Sequence, residues 1–177
     1  MSEPAVPPKD EALQAVGRTV VNFQRLEHNL KLAARLGPLA GTLPRIQRVV
    51  EKRIAQSETM TLGQAIQAWL TDTVSESPAS SHTPDLFDVT MQMTFSLSAD
   101  AESHSAHAAA LKALRETRND LIHGGLVHFA WDSPDECRRL LTKLDEVNEA
   151  IRLELNFITA VVKALGASRA EALEEAR

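Results

Sequence analysis

Between Lys9 and Leu36, apolar residues return every third or fourth position, at Leu13, Val16, Val20, Phe23, Leu30 and Ala34. That spacing predicts a long amphipathic first helix. Residues 37–43 break the pattern. Pro44 then opens a second helix to about Gln56, with Ile46, Val49, Val50 and Ile54 inward. Thr61 followed by Gln64 is a capping-box signature, which predicts a short third helix from Leu62 to about Asp72 that buries Leu62, Ile66 and Leu70. At 87–97 the period falls to two, with Val89, Met91, Met93, Phe95 and Leu97 alternating with Thr90, Gln92, Thr94 and Ser96. One half-buried strand needs a partner, and 126–131, with Val127, Phe129 and Trp131 on one side, is the other extended candidate. An antiparallel two-stranded ribbon joining 87–97 to 126–131 is therefore expected, bracing both ends of the helix between them. That helix starts near Asp100 and runs to His123. Ser133, Pro134 and Glu136 mark the start of a last long helix whose stripe is Leu140, Leu144, Val147, Ile151, Leu155, Ile158, Val162 and Leu165, with Gly166 as its stop. The fold class is all-α with a small β-ribbon. Residues 1–8, with three prolines, read as a disordered lead, 75–84 as a mobile loop and 167–177 as a frayed tail, leaving 9–166 as one helical domain.

The end of the helix at 100–123 breaks its own pattern. Counting about 100° per residue from Leu111, Ala110, Leu114, Leu121 and Ile122 share one apolar arc, and Arg118 falls inside it. A guanidinium is almost never fully buried unless paired, so Arg118 requires a carboxylate, a second subunit or an anion such as phosphate. Glu27 lies within the apolar stripe of the first helix, and pairing it with Arg118 is the structural account of both charges. Glu154, bordering the stripe of the last helix, is the second candidate partner. His123 closes the same helix, about 140° round from Arg118 at α-helical spacing. Asn119 is four residues earlier and shares its face. Gly124 is expected to end the helix in the left-handed conformation, placing His123 at the rim of a cleft.

Bulk properties narrow the setting. A chain of 177 residues is long enough for one real hydrophobic core. The single Cys137 allows no internal disulfide, no apolar run is long enough to cross a bilayer, and the start lacks a signal peptide's apolar region, which points to the cytoplasm and to no membrane. The net charge of −5 excludes a protein that coats nucleic acid by charge alone. The distribution is uneven, however, with eight Lys or Arg against four Glu from Glu11 to Met60. Arg45, Arg48 and Lys52, with Arg53, form a basic outer edge on the second helix. They count as RNA contacts only if the fold sets them beside His123; otherwise they are a solvated face. His104 and His107 have no carboxylate or Cys pattern nearby to complete a metal site and read as surface or interface histidines. No Gly-rich phosphate loop or nucleophile elbow is present.

Arg118-Asn119-Asp120-Leu121-Ile122-His123 resembles the Arg-polar-x3-His signature of the HEPN domains (higher eukaryotes and prokaryotes nucleotide-binding). Phe23-Gln24-Arg25-Leu26-Glu27 and Thr61-Leu62-Gly63-Gln64 are similar to that family too, and the helical outline matches its four-helix up-down bundle, here with an extra short helix and the ribbon. The resemblance implies a homodimer whose two motifs face each other across a cleft and cut RNA without metal or other cofactor. Arg118 would hold the scissile phosphate, His123 would act as general base or acid, and Asn119 would orient one of them; Arg45, Arg48 and Lys52, put forward by the charge pattern and not by the resemblance, would bind substrate if the fold sets them beside His123. The biological role stays open between toxin, phage defence and RNA processing, with an antitoxin or other regulatory protein as a candidate partner. Some toxins of the family carry a Tyr two positions after the motif His that is adenylylated; here that position is Gly125 and the chain has no Tyr, so control by that modification is excluded. The alternative is a non-catalytic dimerisation or nucleotide-binding regulatory module, with Arg118 tied to Glu27 and His123 merely ending a helix.

Overall fold

The computed structural model describes residues 7–75, 91–93 and 97–175, and among these the chain is mostly helical. Helix α1 spans Pro8–Arg35, with Pro in its first turn, Asp10 and Glu11 at its positive end and Arg35 at its negative end, as the helix dipole favours. Its buried face is Ala12, Ala15, Thr19, Phe23, Leu26, Leu30, Ala33 and Ala34. Of the expected stripe, Phe23, Leu30 and Ala34 are buried and Val16 and Val20 pack against the core, whereas Leu13 is 46% exposed and Ala12, Ala15, Thr19 and Leu26 complete the inner face. Small side chains carry little weight in a hydrophobic pattern, yet they are what lets a second helix approach closely.

That second helix is α5, Pro134–Glu175, whose most buried residues, Cys137, Leu144, Ile151 and Ile158, recur every seven positions. A seven-residue repeat is the signature of knobs-into-holes packing. The two helices lie parallel, because partners ascend together: Lys9 with Asp132, Asn22 with Asn148, Asn29 with Thr159 and Arg35 with Arg169. Asn148 Nδ2 donates to Thr19 Oγ1 at 2.9 Å, and its Oδ1 accepts from Asn22 Nδ2 at 2.8 Å. A polar cluster inside an apolar seam fixes register, since any slip would leave its donors and acceptors unpaired. Helix α5 passes through Gly166 rather than stopping there: a Cβ at Gly166 would meet nothing, and Arg169 Nη1 donates to the Arg35 carbonyl at 3.4 Å. The expected frayed tail is thus helical to Glu175, with 176–177 outside the described residues.

Helix α2 spans Leu43–Thr59 and covers a small satellite core of Leu39 and Ile46 with Val49 and Val50, while Ile54, expected inward, is exposed. Helix α3, Leu62–Ala68, starts with the expected capping box, Thr61 N donating to Gln64 Oε1 at 2.8 Å and Gln64 N to Thr61 Oγ1 at 3.3 Å. It runs on into a π-turn, Trp69–Thr73. Helix α4, Ala101–Asp120, is capped by Asp100 and likewise ends in a π-turn, Leu121–Gly125. Gly63 lies against Arg115 and Trp69 against His107, so α3 and α4 are antiparallel. His107 meets Glu154, while Leu121 and Leu144 line one cavity, so α4 is antiparallel to α5 as well. Phe23, Leu26, Leu30, Trp69, Leu111, Leu114, Leu144, Ile151 and Ile158 form one continuous core.

Among the described residues the ribbon expected between 87–97 and 126–131 is not seen. Strand β3, Met91–Met93, pairs antiparallel with β1, Leu39–Gly41, and β4, Leu97–Ser98, pairs parallel with β2, Val74–Ser75. The partners lie in stretches read as a chain break and a loop border. Residues 126–131 are instead a run of turns in which Phe129 and Trp131 pack edge to face at 4.7 Å, so their alternation reflects a ring contact. The expected lead and loop fall largely at 1–6 and 76–84, outside the described residues, as do 87–90 and 94–96 of the ribbon.

Candidate functional site

The motif occupies the last turn of α4 and the π-turn after it. In such a turn the bonding passes from i→i+4 to i→i+5, a feature frequent at functional sites. Gly125 makes it possible, because a Cβ there would lie 3.0 Å from the backbone oxygen of Asp120. Gly124, expected to be left-handed, is not: its φ is outside that region and a Cβ on it would meet nothing within 4 Å. Leu121 is buried and anchors the turn, whereas Ile122, at 42% exposed, and His123 face outward. Val127, 72% exposed, adds a second uncovered apolar side chain just beyond.

Arg118 is half-buried, and the expected ion pair with Glu27 is absent. Its Nη1 donates to Asn119 Oδ1 at 3.3 Å, while Glu27 Oε1 accepts from Lys31 Nζ one turn along α1, at 2.8 Å. An i,i+4 partner on the same helix satisfies the carboxylate without any change in backbone, which is why it prevails over a contact across the core. Glu154, the second candidate partner, is engaged elsewhere too. Among the described residues Arg118 therefore has no carboxylate partner, and its guanidinium shares only an amide oxygen with Asn119. His123 makes no hydrogen bond among the described residues.

A cavity of about 240 Å³ opens beside the motif. Leu121, Leu126, Phe129, Leu140, Leu144 and Val147 line its apolar walls, with Asp120, Arg139 and Lys143 among its polar groups. It is bounded by the turns after the π-turn on one side and the first half of α5 on the other.

Arg45, Arg48 and Lys52 are exposed on α2 and are not beside His123 within the chain. Helix α2 is tied to the far end of α1, where Arg35 Nε donates to Ser57 Oγ at 2.8 Å and Arg53 abuts Gly37. That level of the bundle is marked on α5 by Arg169, and the motif's level by Leu144; the 25 residues between them span about 37 Å.

Two arrangements were not legible in the sequence. His107, expected at the surface or an interface, is enclosed within the chain: Trp69 Nε1 donates to its Nε2 at 2.7 Å, and its Nδ1 lies 2.7 Å from Glu154 Oε2. An indole N–H can only donate, so Nε2 accepts and the neutral ring carries its proton on Nδ1, although the geometry there does not make a hydrogen bond to Glu154 Oε2. Phe157 completes the cluster, edge to face with His107 at 4.9 Å. A Glu on the border of an apolar stripe was the only signal for it. The second arrangement gathers Arg35, Arg53 and Arg169, from three helices, at the C-terminal end of α1.

Neither family models, nor curated proteins, nor solved structures provide a match to this chain.

Proposed function

We propose that the protein is a metal-independent endoribonuclease of HEPN type that works as a homodimer. The observation that carries this reading is that Glu27 pairs with Lys31 and not with Arg118, leaving a half-buried guanidinium with no carboxylate among the described residues, one turn before an outward-facing His123. Arg118 is only partly buried and has no carboxylate partner among the described residues, which leaves its charge open to an anion. A planar fork without a counter-charge suits the scissile phosphate and the charge that builds on it. Asn119 Oδ1, already bonded to the fork, would hold it in orientation.

In the proposed reaction His123 takes the proton of a ribose 2′-hydroxyl, and that oxygen attacks the adjacent phosphorus. The bond to the 5′-oxygen breaks, and this oxygen leaves with a proton supplied by His123 of a second copy. The products are a 2′,3′-cyclic phosphate and a 5′-hydroxyl end. An imidazole serves both roles because its ordinary pKa, about 6.5, lies near neutrality. The second copy would cover Ile122 and Val127, apolar side chains that one chain leaves exposed. The basic edge of Arg45, Arg48 and Lys52 would contribute only through RNA that extends well beyond the cleft. A toxin or defence role, controlled by a partner protein, is consistent with this activity.

One observation favours a second reading, a non-catalytic dimerisation or nucleotide-binding module: no described group orients the His123 imidazole. One experiment decides between them. Single-stranded RNA is incubated with the protein in excess chelator, and the cleavage rate is compared with that of His123→Ala, whose fold and oligomeric state are checked by circular dichroism and gel filtration. The ribonuclease reading expects a loss of about 10²–10⁴-fold, the usual contribution of general acid–base catalysis. Equal cleavage by both proteins, or none by either, refutes it.

A further inference from the structure

We propose that Arg35, Arg53 and Arg169 form a phosphate-binding site at the end of the bundle opposite the motif. The three guanidiniums come from α1, α2 and α5 and converge on the last turn of α1. Arg35 Nε is held by the buried Ser57 hydroxyl, and Arg169 Nη1 by the Arg35 carbonyl. Arg53 lies against Gly37, where any Cβ would collide with its Nη1, so the glycine leaves room for the fork. That same Nη1 is buried and has no hydrogen-bond partner. Among the described residues none of the three arginines has a carboxylate oxygen within 4 Å.

The rival account is that these side chains merely cap α1, since basic groups do bond the last carbonyls of a helix. Magnitudes decide against it. A helix C-terminus carries about half a negative charge, which balances one guanidinium in part and three not at all. A buried donor left unpaired costs about 1–3 kcal/mol, and more when charged. Burial, and next to it the charge of Arg53, hold the Arg169 guanidinium below its ordinary pKa, as expected where cations crowd without a counter-ion. An oxyanion with several acceptor oxygens and up to two charges removes both penalties, and planar forks match phosphate geometry. The site needs no activity at His123, so it stands apart from the ribonuclease reading.

Isothermal titration of the full-length protein with inorganic phosphate and with pyrophosphate tests the site. One saturable site per chain is expected, weakened at least tenfold by Arg53→Met and by Arg169→Gln and unchanged by Arg138→Gln, an exposed residue paired with Asp135. Because Arg53→Met also relieves repulsion, the ligand-free variant should melt at or above the wild-type temperature while losing its stabilisation by phosphate. If Arg53→Met does not fold, Arg53→Lys replaces it, keeping the charge but losing the fork, and again binds phosphate more weakly. Competition with AMP, and with an RNA oligonucleotide bearing or lacking a 5′-phosphate, distinguishes a mononucleotide from an RNA end; displacement by none of them assigns the site to free phosphate. Absence of saturable binding of both inorganic probes overturns the proposal, as does equal affinity in the Arg53 variants.

Discussion

Two adjacent glycines at the end of the motif helix should respond to the same substitution with opposite sign. At Gly124 a Cβ would meet nothing within 4 Å and φ is not left-handed. Gly124→Ala therefore gains the usual benefit of restricting the unfolded chain, about 0.4–1 kcal/mol. At Gly125 the new Cβ would lie 3.0 Å from Asp120 O and 3.6 Å from the carbonyl carbon. Those atoms belong to the backbone of the same turn, so they yield only if the π-turn opens or the peptide tilts. Overpacking of this kind costs about 1–3 kcal/mol, which outweighs the same unfolded-state gain. For a chain of this size each kcal/mol moves the melting temperature by about 2–4 °C. Thermal and urea melts of the two single variants should then place Gly124→Ala a few degrees above wild type and Gly125→Ala several degrees below it. Shifts in the same direction would refute the account of the turn. A reversed pair of signs would restore a left-handed cap at Gly124, the reading that the sequence alone suggested.

The buried Trp69–His107 contact should show coupling. Trp69→Phe leaves His107 Nε2 without its donor and His107→Leu strands the indole N–H and Glu154, each costing about 1–3 kcal/mol or more, whereas the double variant should cost less than their sum by about 0.5–3 kcal/mol in urea melts; additive costs would mean the bond contributes nothing. The N-cap of α4 should be sensitive to acid. The Ser103 backbone N–H, then its hydroxyl, hold the Asp100 carboxyl below its ordinary 3.8, so the stabilisation is fully present above that pH and is lost as pH falls through the lower, folded-state value. Amide exchange at Ser103 followed down to pH 2 should accelerate in wild type and show no such step in Asp100→Ala.

Helix positions were readable where the chemistry is local. The Thr61–Gln64 box, the Asp100 cap and the Pro134 start all act within one turn, and the structure places them where the spacing did. What failed was anything decided by a distant partner. Met91–Met93, which does alternate, pairs with Leu39–Gly41, about fifty residues away in sequence and in a stretch with no pattern of its own. On α1 the large residues Phe23 and Leu30 mark the inner face correctly, but Leu13 lies outside it and the buried Ala12 and Ala15 carry too little hydrophobic weight to show in the pattern. Of the candidate site, the identity of Arg118, Asn119 and His123 was legible, and their surroundings were not. Lys31 takes Glu27 and His107 takes Glu154, so each expected partner of Arg118 is occupied by a closer claimant.

The π-turn bears on that site in one more way. At α-helical spacing Arg118 and His123 stand about 140° apart, too far round to address one phosphate directly. Residues bonded i→i+5 advance less than 100° each, so from Leu121 onward the chain lags and His123 swings back toward the face of Arg118. The fold accepts a poorer hydrogen-bond geometry here and leaves Ile122 and Val127 uncovered. It accepts a second penalty where three guanidiniums meet with no carboxylate among the described residues, about 37 Å away along α5. A single phosphate cannot touch both places. The scissile group proposed for Arg118 and the anion proposed for Arg53 are therefore different ligand groups, and removing either arginine should leave the binding at the other intact.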